Sequence, residues 1–305
     1  MLAWLLRLTL NSVLLMARLQ AAILPTSWLF AQGRLAARWG IRLLGGLRRN
    51  LEDNARHLLG EQSTLAERRA LAVQTVESFS RFFVELICGA SYSPPGAETL
   101  LERIRGYDAA ERAKDRGRGV IGVTLHMGNY ELGAQVLPEL VSPVAIAYNR
   151  DPWGLFEKLR SRARRASQVE EIPINGSPFF TVEGRNVLKR KGLLLAAADR
   201  GLPTERGPYY TFLGAKARFL DWPARLSFAT GAPLLPCAVV LRPDEGYTIE
   251  LAEPIDPADF ADPQALMQRA VESLEDFVRR FPEQWLILHR YWDRQPEEEA
   301  HAAAA

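Results

Sequence analysis

The stretch GVIGVTLHMGNYE, residues 119–131, decides the fold. Its first seven residues are mostly apolar, which is typical of a strand buried on both faces of a sheet. His126 follows at once, and the apolar residues of LGAQVLPEL then recur at helical spacing. A strand that passes through a short polar loop into a helix indicates an α/β unit. Reactive side chains gather where the strands of such sheets end, so His126 is a candidate site residue.

The same alternation of apolar runs and helical segments continues in both directions along the chain. We predict further strands at 142–148, 169–174, 192–198, 233–240 and 247–252. We predict helices at 64–89, 130–140, 153–167, 179–191, 221–230 and 263–281. Ser63 or Thr64 offers an N-cap for the first helix, and the segment SYSPPG at 91–96 ends it. The pattern predicts an α/β fold with a mostly parallel central sheet flanked by helices.

Composition narrows the class of protein. A chain of 305 residues has room for a sizeable core, and a formal net charge of +2 is too small to indicate a nucleic-acid partner. The two cysteines, Cys88 and Cys237, cannot build a disulfide framework and lie in no zinc-ligand spacing. A reducing, cytoplasmic setting fits them.

The N-terminal segment is more apolar than is usual in a soluble enzyme. Residues 1–30 are apolar almost throughout, but Arg7 and Arg18 interrupt them. The uncharged runs are shorter than the roughly 20 residues of a clean membrane span. Arginine stems can reach the headgroups, so we expect residues 1–33 to be a membrane anchor, either a tilted span or a helix in the interface. A helix buried in the protein's own core is the alternative.

The rest of the chain is expected to form one domain, which begins with a basic segment and is followed by a short tail. Residues 34–50 place arginines beside Leu, Trp and Ile, as in a basic amphipathic helix on anionic lipid or in a solvated helix face. We expect one enzymatic domain over 34–295 and a disordered tail over 296–305.

The chemistry centres on His126 and the carboxylate five residues later, Glu131. A glutamate in the first turn of a helix can accept a hydrogen bond from one imidazole nitrogen and leave the other free to take a proton. The spacing alone proves little in a chain with four histidines and 36 acidic residues. The strand-to-helix setting and Gly128 beside the histidine favour a site.

Several other catalytic and nucleotide-binding motifs are absent or lack their structural context, and this limits the reactions that the protein could catalyse. The sequence GRGVIG at 117–122 precedes its strand, so it lacks the context of a dinucleotide site. The chain has no G-x-S-x-G elbow, no Walker A lysine and no H-E-x-x-H. A histidine and a carboxylate without an evident protein nucleophile suit direct attack by a substrate hydroxyl on an acyl carbonyl. That chemistry requires no metal.

Five segments carry a resemblance to a known family. They are LHMGNYE at 125–131, AADRG at 197–201, TFLGAKARF at 211–219, SFATGAPLLPCAVV at 227–240 and FPEQWLILHRYW at 281–292. Together they resemble the bacterial lipid A biosynthesis acyltransferases, the late lauroyl and myristoyl transferases, and the related phosphatidylinositol mannoside acyltransferase. The first segment carries the H-x4-D/E motif of the wider glycerolipid acyltransferases.

The resemblance implies a reaction and a location. It implies a glycerolipid-acyltransferase-like sheet and a monotopic inner-membrane enzyme whose active site faces the cytoplasm. The enzyme would move a fatty acyl chain from a thioester to a hydroxyl of a lipid A precursor or similar glycolipid. Acyl carrier protein or coenzyme A would carry the acyl group, and no cofactor is implied. One alternative is the same chemistry on another acceptor: a lysophospholipid, an amino-acid lipid or an aryl lipid. The other is a non-catalytic lipid-binding scaffold.

The resemblance also implies roles for particular residues. His126 would be the general base, and either Glu131 or Asp199, at the end of the GLLLAAAD strand, would orient it. The candidates for binding substrate are Asn129, Arg150, Arg200 and Lys216. The segment PEQW, residues 282–285, is expected to fix the C-terminal segment without taking part in the chemistry.

Two further sets of residues are candidates for the substrates. Aromatic side chains that could line an acyl groove are Phe79, Phe82, Phe83, Phe179, Phe180, Phe212 and Trp222. The arginine cluster RSRARR at 160–165 is either a docking site for an acidic donor protein or a solvated helix face.

Overall fold

The computed structural model describes residues 12, 15–88, 103–150, 154–175, 179–200, 208–243 and 246–292. Its strands are β1 (Ile104–Arg105), β2 (Val120–Thr124), β3 (Val144–Tyr148), β4 (Glu170–Pro173), β5 (Leu193–Ala197), β6 (Tyr209–Phe212), β7 (Ala215–Arg218), β8 (Leu234–Arg242) and β9 (Gly246–Leu251). Its helices are α1 (Thr26–Leu43), α2 (Gly45–Leu59), α3 (Leu65–Cys88), α4 (Tyr107–Asp115), α5 (Tyr130–Val136), α6 (Gly154–Ala166), α7 (Phe180–Lys189), α8 (Trp222–Thr230) and α9 (Pro263–Arg280).

Seven strands form the central sheet in the order β1-β9-β8-β2-β5-β3-β4. All of its pairs are parallel except β8 with β9. Strands β6 and β7 form a separate antiparallel hairpin. The predicted α/β fold with a mostly parallel sheet is therefore confirmed, and each predicted strand is present in it. The sequence patterns did not predict β1, α4 or the hairpin.

Both faces of the sheet are buried, which explains the continuous apolar runs. On one face, Ile121 and Leu194 pack with the helices α7, α8 and α9. On the other face, Val120 and Leu193 pack with alanines of α4 and α5. Two short 3-10 turns, Leu137–Glu139 and Pro282–Gln284, extend the ends of α5 and α9.

Helices α1, α2 and α3 form a second layer around a small core of Ala37, Ile41, Leu51, Ala72 and Val76. Helix α3 begins with a capping box, because the Thr64 N–H donates to the Glu67 carboxylate at 2.8 Å and the Glu67 N–H donates to the Thr64 hydroxyl at 3.2 Å. Thr64 is thus the predicted N-cap. Helix α1 lies so close to α3 that a Cβ on Gly33 would meet the Ser80 hydroxyl at 2.4 Å.

The described part of the predicted N-terminal anchor is helical but interrupted. Residues 15–23 are helical, but the helix stops before Pro25, which has no N–H to donate and disfavours a helical residue before it. A new helix, α1, starts at Thr26 and runs without a break through the predicted boundary between residues 33 and 34. Among the described helices, none combines the length and hydropathy needed to cross a bilayer. Residues 1–11 of the predicted anchor and the predicted tail, 296–305, lie outside the described residues.

Candidate functional site

The loop between β2 and α5 presents His126 at the carboxyl end of the sheet. The loop passes over β8 so closely that a Cβ on Gly128 would lie 1.9 Å from the Val239 carbonyl oxygen, and the φ of Gly128 is 54°. Only glycine fits this combination of contact and positive φ. The residue beside the histidine is therefore small because the loop turns against the sheet there.

The C-terminal segment fixes the same loop through its backbone. The N–H of Gly128 donates to the Gln284 carbonyl at 2.9 Å, and the N–H of Leu286 donates to the His126 carbonyl at 2.8 Å. The Gln284 side chain in turn bonds both backbone groups of Leu241 on β8, at 2.7 and 2.8 Å. The PEQW segment thus ties the histidine loop to the sheet, in agreement with the positional role that we expected.

Asp199 is the carboxylate that orients His126. It follows β5, the strand next to β2, and its Oδ1 lies 2.7 Å from His126 Nδ1. Asp199 also accepts the His126 backbone N–H, at 3.0 and 3.1 Å, and the Trp285 indole N–H at 2.9 Å. Its side chain is fully buried. These bonds direct Nδ1 towards Asp199 and leave Nε2 to act on the contents of the adjoining cavity.

The electrostatics of this pair favour a neutral imidazole. Burial lowers the pKa of His126, and the positive charges of Arg200 and Arg160 lower it further, against the opposing effect of Asp199. Burial alone would raise the pKa of Asp199, but its bond from His126, the charge of Arg200 and the Trp285 bond outweigh burial and lower it. At neutral pH the pair is therefore an imidazole that can accept a proton beside an ionised carboxylate.

Glu131 has a different role from the one suggested by its spacing. Its carboxylate is buried and binds Arg164 through two bonds, Oε2 to Nε at 2.9 Å and Oε1 to Nη2 at 2.5 Å. Arg160 Nε lies 3.0 Å from the same Oε1. Burial would raise the pKa of Glu131, but the two arginines outweigh it and lower the pKa. The alternative in which Glu131 orients His126 is wrong: the glutamate faces the arginines of α6.

The buried positions of Arg160 and Arg164 were not predicted from the sequence. The arginine cluster on α6 was expected on the surface, yet Arg164 is 1% exposed and the Arg160 side chain is 11% exposed. Their spacing of four residues, which places both on one face of α6, was the available signal. Arg162 and Arg165 of the same cluster are exposed.

The structure brings two of the four predicted substrate-binding residues to the cavity. Arg150 and Arg200 line it. Asn129 is instead buried and serves as the N-cap of α5, because its Oδ1 accepts the Leu132 N–H at 3.0 Å and its Nδ2 donates to Glu85 at 2.8 Å. Lys216 is exposed on the separate β6–β7 hairpin, outside the cavity lining. The structure therefore places neither of these two side chains in the wall of the cavity.

A cavity of about 820 Å³ adjoins His126. One part of its wall is polar and basic, from Tyr148, Arg150, Arg160 and Arg200. The rest is mainly apolar and comes from the sheet, α1 and α3; it includes Gly33, Ala36, Ala37, Val76, Phe79, Phe82, Phe83, Ala134, Ile146, Leu195 and Ala197. Of the seven aromatic residues predicted to line an acyl groove, the three phenylalanines of α3 line this cavity. Phe179, Phe180, Phe212 and Trp222 lie elsewhere, and Phe212 is buried in the core against Trp285 and Trp292.

Together these features define a class of enzyme. A neutral imidazole held by a buried carboxylate can remove a proton from a hydroxyl, and a largely apolar cavity with a basic wall suits an amphiphile that carries an anionic group. The geometry of the site therefore suits an enzyme that acts on a lipid.

Comparison with known proteins names the family. The model of the bacterial lipid A biosynthesis acyltransferases matches residues 4–294, so the chain belongs to this family and is an acyltransferase of lipid metabolism. It is 25% identical to the Escherichia coli lipid A biosynthesis palmitoleoyltransferase over 82% of this chain and 78% of that protein. It is 24% identical to the phosphatidylinositol mannoside acyltransferase of Mycobacterium tuberculosis over 73% of this chain and 70% of that protein. The match to the Mycolicibacterium smegmatis protein of that name is 25% identical and spans 62% of each chain.

Proposed function

We propose that this protein is a membrane-associated O-acyltransferase that moves a fatty acyl chain from a thioester to a hydroxyl of a lipid A precursor or a similar glycolipid. The observation that carries the proposal is the pair of His126 and Asp199, 2.7 Å apart, beside a largely apolar cavity with a basic wall. The printed names of the relatives support a glycolipid acceptor, because they refer to lipid A and to phosphatidylinositol mannoside.

In the proposed reaction, Nε2 of His126 takes the proton of the acceptor hydroxyl as its oxygen attacks the thioester carbonyl. A carbon–oxygen bond forms, and the carbon–sulfur bond then breaks. The proton passes from His126 to the departing thiolate, so the imidazole returns to its neutral form. Asp199 holds Nδ1 and stabilises the imidazolium that exists between the two steps.

The basic wall of the cavity complements this chemistry. Arg200 and Arg160 are close enough to His126 for their charges to lower its pKa, so they can also stabilise negative charge that develops on the carbonyl oxygen. Arg150, further round the wall, can bind a phosphate of the acceptor or donor. Glu131 holds Arg160 and Arg164 in place and takes no proton in this scheme.

The acyl donor is either acyl carrier protein or coenzyme A. Both are acidic and belong to the cytoplasm, which fits an active site on the cytoplasmic face of the inner membrane. Arg162 and Arg165 of α6 are exposed on the surface next to the buried pair and suit an acidic donor, although Arg165 also lies 3.5 Å from Glu171.

Helix α1 supports the proposed attachment to the membrane. Trp28, Leu35, Trp39 and Leu43 recur at spacings of seven and four residues, so they share one face, and all are more than half exposed. Arginines 34, 38 and 42 run along one edge of that face. The opposite side of the helix contributes Gly33 and Ala37 to the cavity wall. The helix therefore lies between the cavity and an apolar, basic surface suited to anionic lipid.

Changing both Trp28 and Leu35 to glutamate is expected to weaken binding to anionic phospholipid vesicles by more than about tenfold. Each buried apolar side chain contributes about 1.5–3 kcal/mol, and both would be lost from the lipid. Vesicle co-sedimentation measures the change. The matched control is Val182→Glu, which alters a 53% exposed apolar residue on α7. Unchanged sedimentation of the α1 variant would contradict attachment through this face.

Mass spectrometry of lipid products tests the proposed reaction. The purified protein and its His126→Ala variant are incubated with acyl–acyl carrier protein or acyl-coenzyme A and a pool of acceptors. The pool contains a lipid A precursor, a phosphatidylinositol mannoside, a lysophospholipid, an amino-acid lipid and an aryl lipid. We expect an acylated glycolipid that forms only with the unaltered protein. An acylated product of another class would replace the proposed acceptor, and equal activity of the variant would contradict the role of His126.

A further inference from the structure

A second apolar cavity lies behind the first on the same face of the sheet. It has a volume of about 80 Å³, and its wall includes Val120, Gly122, Leu193, Leu235 and Leu251. Residues 120, 122 and 124 of β2 point to one face of the sheet, as do 193, 195 and 197 of β5. Thr124 and Ala197 line the first cavity, whereas Val120 and Leu193 line the second. The two cavities therefore follow one another along the strands.

Leu195 lies between the two cavities and contributes to the wall of both. It is paired with Gly122 on β2 and with Ile146 on β3. Gly122 lines only the second cavity and Ile146 only the first. The row Gly122–Leu195–Ile146 is thus the partition, and the leucine is its central side chain.

Because Gly122 has no side chain, it leaves room for the side chain of Leu195. A Cβ on Gly122 would lie 2.7 Å from Cδ2 of Leu195, closer than two carbon atoms can pack. The Leu195 side chain therefore occupies space that any other residue at position 122 would take. The partition depends on a large residue on β5 opposite a residue without a side chain on β2.

The partition lies where the acyl chain of a donor would reach it if the thioester carbonyl were at His126. A thioester carbonyl at His126 would have small side chains immediately behind it, since the next row inward is Thr124 with Ala197. Leu195 belongs to the following row, opposite Gly122. Positions 126 and 122 are four residues apart, which is about 13 Å for an extended chain along the sheet. An apolar chain that runs inward from His126 over this face meets Leu195.

We infer that the methyl end of the donor's acyl chain lies against Leu195 and that Leu195, seated on Gly122, sets the longest chain that the enzyme accepts. The second cavity is the space that the chain would enter if the partition were removed. This inference rests on the proposed acyl transfer and adds to it the residue that determines chain length.

Leu195→Ala is expected to join the two cavities and to shift donor preference towards longer chains. The test offers an equimolar mixture of decanoyl, dodecanoyl, tetradecanoyl and hexadecanoyl thioesters of acyl carrier protein or coenzyme A, with the acceptor that the unaltered enzyme uses. Product ratios are measured by mass spectrometry. One methylene in a fitted pocket changes selectivity by about 10–200-fold, so we expect the ratio of the longer to the shorter product to rise by at least about tenfold.

Gly122→Ala is expected to act in the opposite direction. The new methyl group would push the end of the Leu195 side chain towards the first cavity and shorten the path. Preference should therefore move to a shorter donor. Because its predicted shift is opposite, this variant tests the inference even if Leu195→Ala fails to fold.

Leu193→Ala is the matched control. Leu193 lies on the same strand and face, is similarly buried, and lines only the second cavity. Its truncation removes the same atoms from the core but leaves the partition, so product ratios should equal those of the unaltered enzyme. Unchanged ratios in both Leu195→Ala and Gly122→Ala, or an equal shift in Leu193→Ala, would overturn the inference while acyl transfer stands. Absence of product from the unaltered enzyme with every donor would overturn the proposed function and this inference with it.

Discussion

Asp199→Asn is expected to lower kcat on the order of 10²–10⁴-fold while the fold is retained. The substitution preserves shape, but the asparagine amide can donate to His126 Nδ1 where the carboxylate accepts. Donation to Nδ1 places the imidazole proton on Nε2, and that nitrogen can then no longer take the proton of the acceptor hydroxyl. The rate of product formation with a saturating acceptor measures the effect, and thermal unfolding checks that the fold is intact.

The pH dependence of kcat/KM separates this role from a merely structural one. Activity requires the neutral imidazole, whose pKa is lowered mainly by burial, so the rate should rise with pH through a value below the ordinary histidine pKa of about 6.5 and level off above it. Asp199 opposes that lowering, so its replacement should move the midpoint of the residual activity to a still lower pH. A midpoint that does not move, together with a rate near that of the unaltered enzyme, would contradict the role of Asp199.

Glu131→Ala is expected to reduce the free energy of unfolding by about 3–5 kcal/mol. The glutamate binds two arginines, and Arg164 is almost fully buried; Glu171, the other carboxylate in its ion pairs, lies further away, at 3.5 Å. Removal of Glu131 leaves this buried positive charge without its main partner. Denaturant unfolding followed by circular dichroism measures the loss.

The chain contains a matched control for Glu131 on its surface. Glu170 and Arg190 form two bonds at 2.7 and 2.8 Å, as close as those of Glu131, but both side chains are more than 40% exposed. Glu170→Ala should cost less than about 1 kcal/mol, because water and salt screen an exposed pair. If Glu131→Ala cost no more than this control and still abolished activity, Glu131 would act in the chemistry and its structural role would be wrong.

Much of the fold could be predicted from the sequence because both faces of the sheet are buried. Burial on both sides makes strands such as 120–124 and 193–197 continuous apolar runs, and these are strong signals. The missed elements lack that signal. Strand β1 has only two residues, and the buried residues of α4 are two alanines, Ala109 and Ala113, between charged residues. The strands of the β6–β7 hairpin have four residues each.

The site was only partly predictable, for a physical reason. His126 and Asp199 each end a buried strand, and ends of neighbouring parallel strands meet at one edge of the sheet. Arg160 and Arg164 lie on a helix rich in charge, where a buried arginine and an exposed one look alike in the sequence. Their burial depends on Glu131, a residue of another helix, and only the tertiary structure brings that carboxylate to them.

Asn129 and Lys216 lie outside the cavity wall for similar reasons. Asn129 stands beside the histidine in the chain, but the polar side chain at this position is needed as the cap of α5. Lys216 belongs to a segment that resembles the family, yet the hairpin that contains it lies away from the cavity. Proximity in sequence or in a motif does not establish proximity to the reacting atoms.

General-base catalysis by His126 is tested most directly by the mass of the lipid product that the unaltered enzyme and His126→Ala form from an acyl thioester. We expect a glycolipid heavier by one ester-linked acyl group, formed by the unaltered enzyme and reduced by on the order of 10²–10⁴-fold in the variant. A variant that forms this product at the unaltered rate would contradict general-base catalysis by His126.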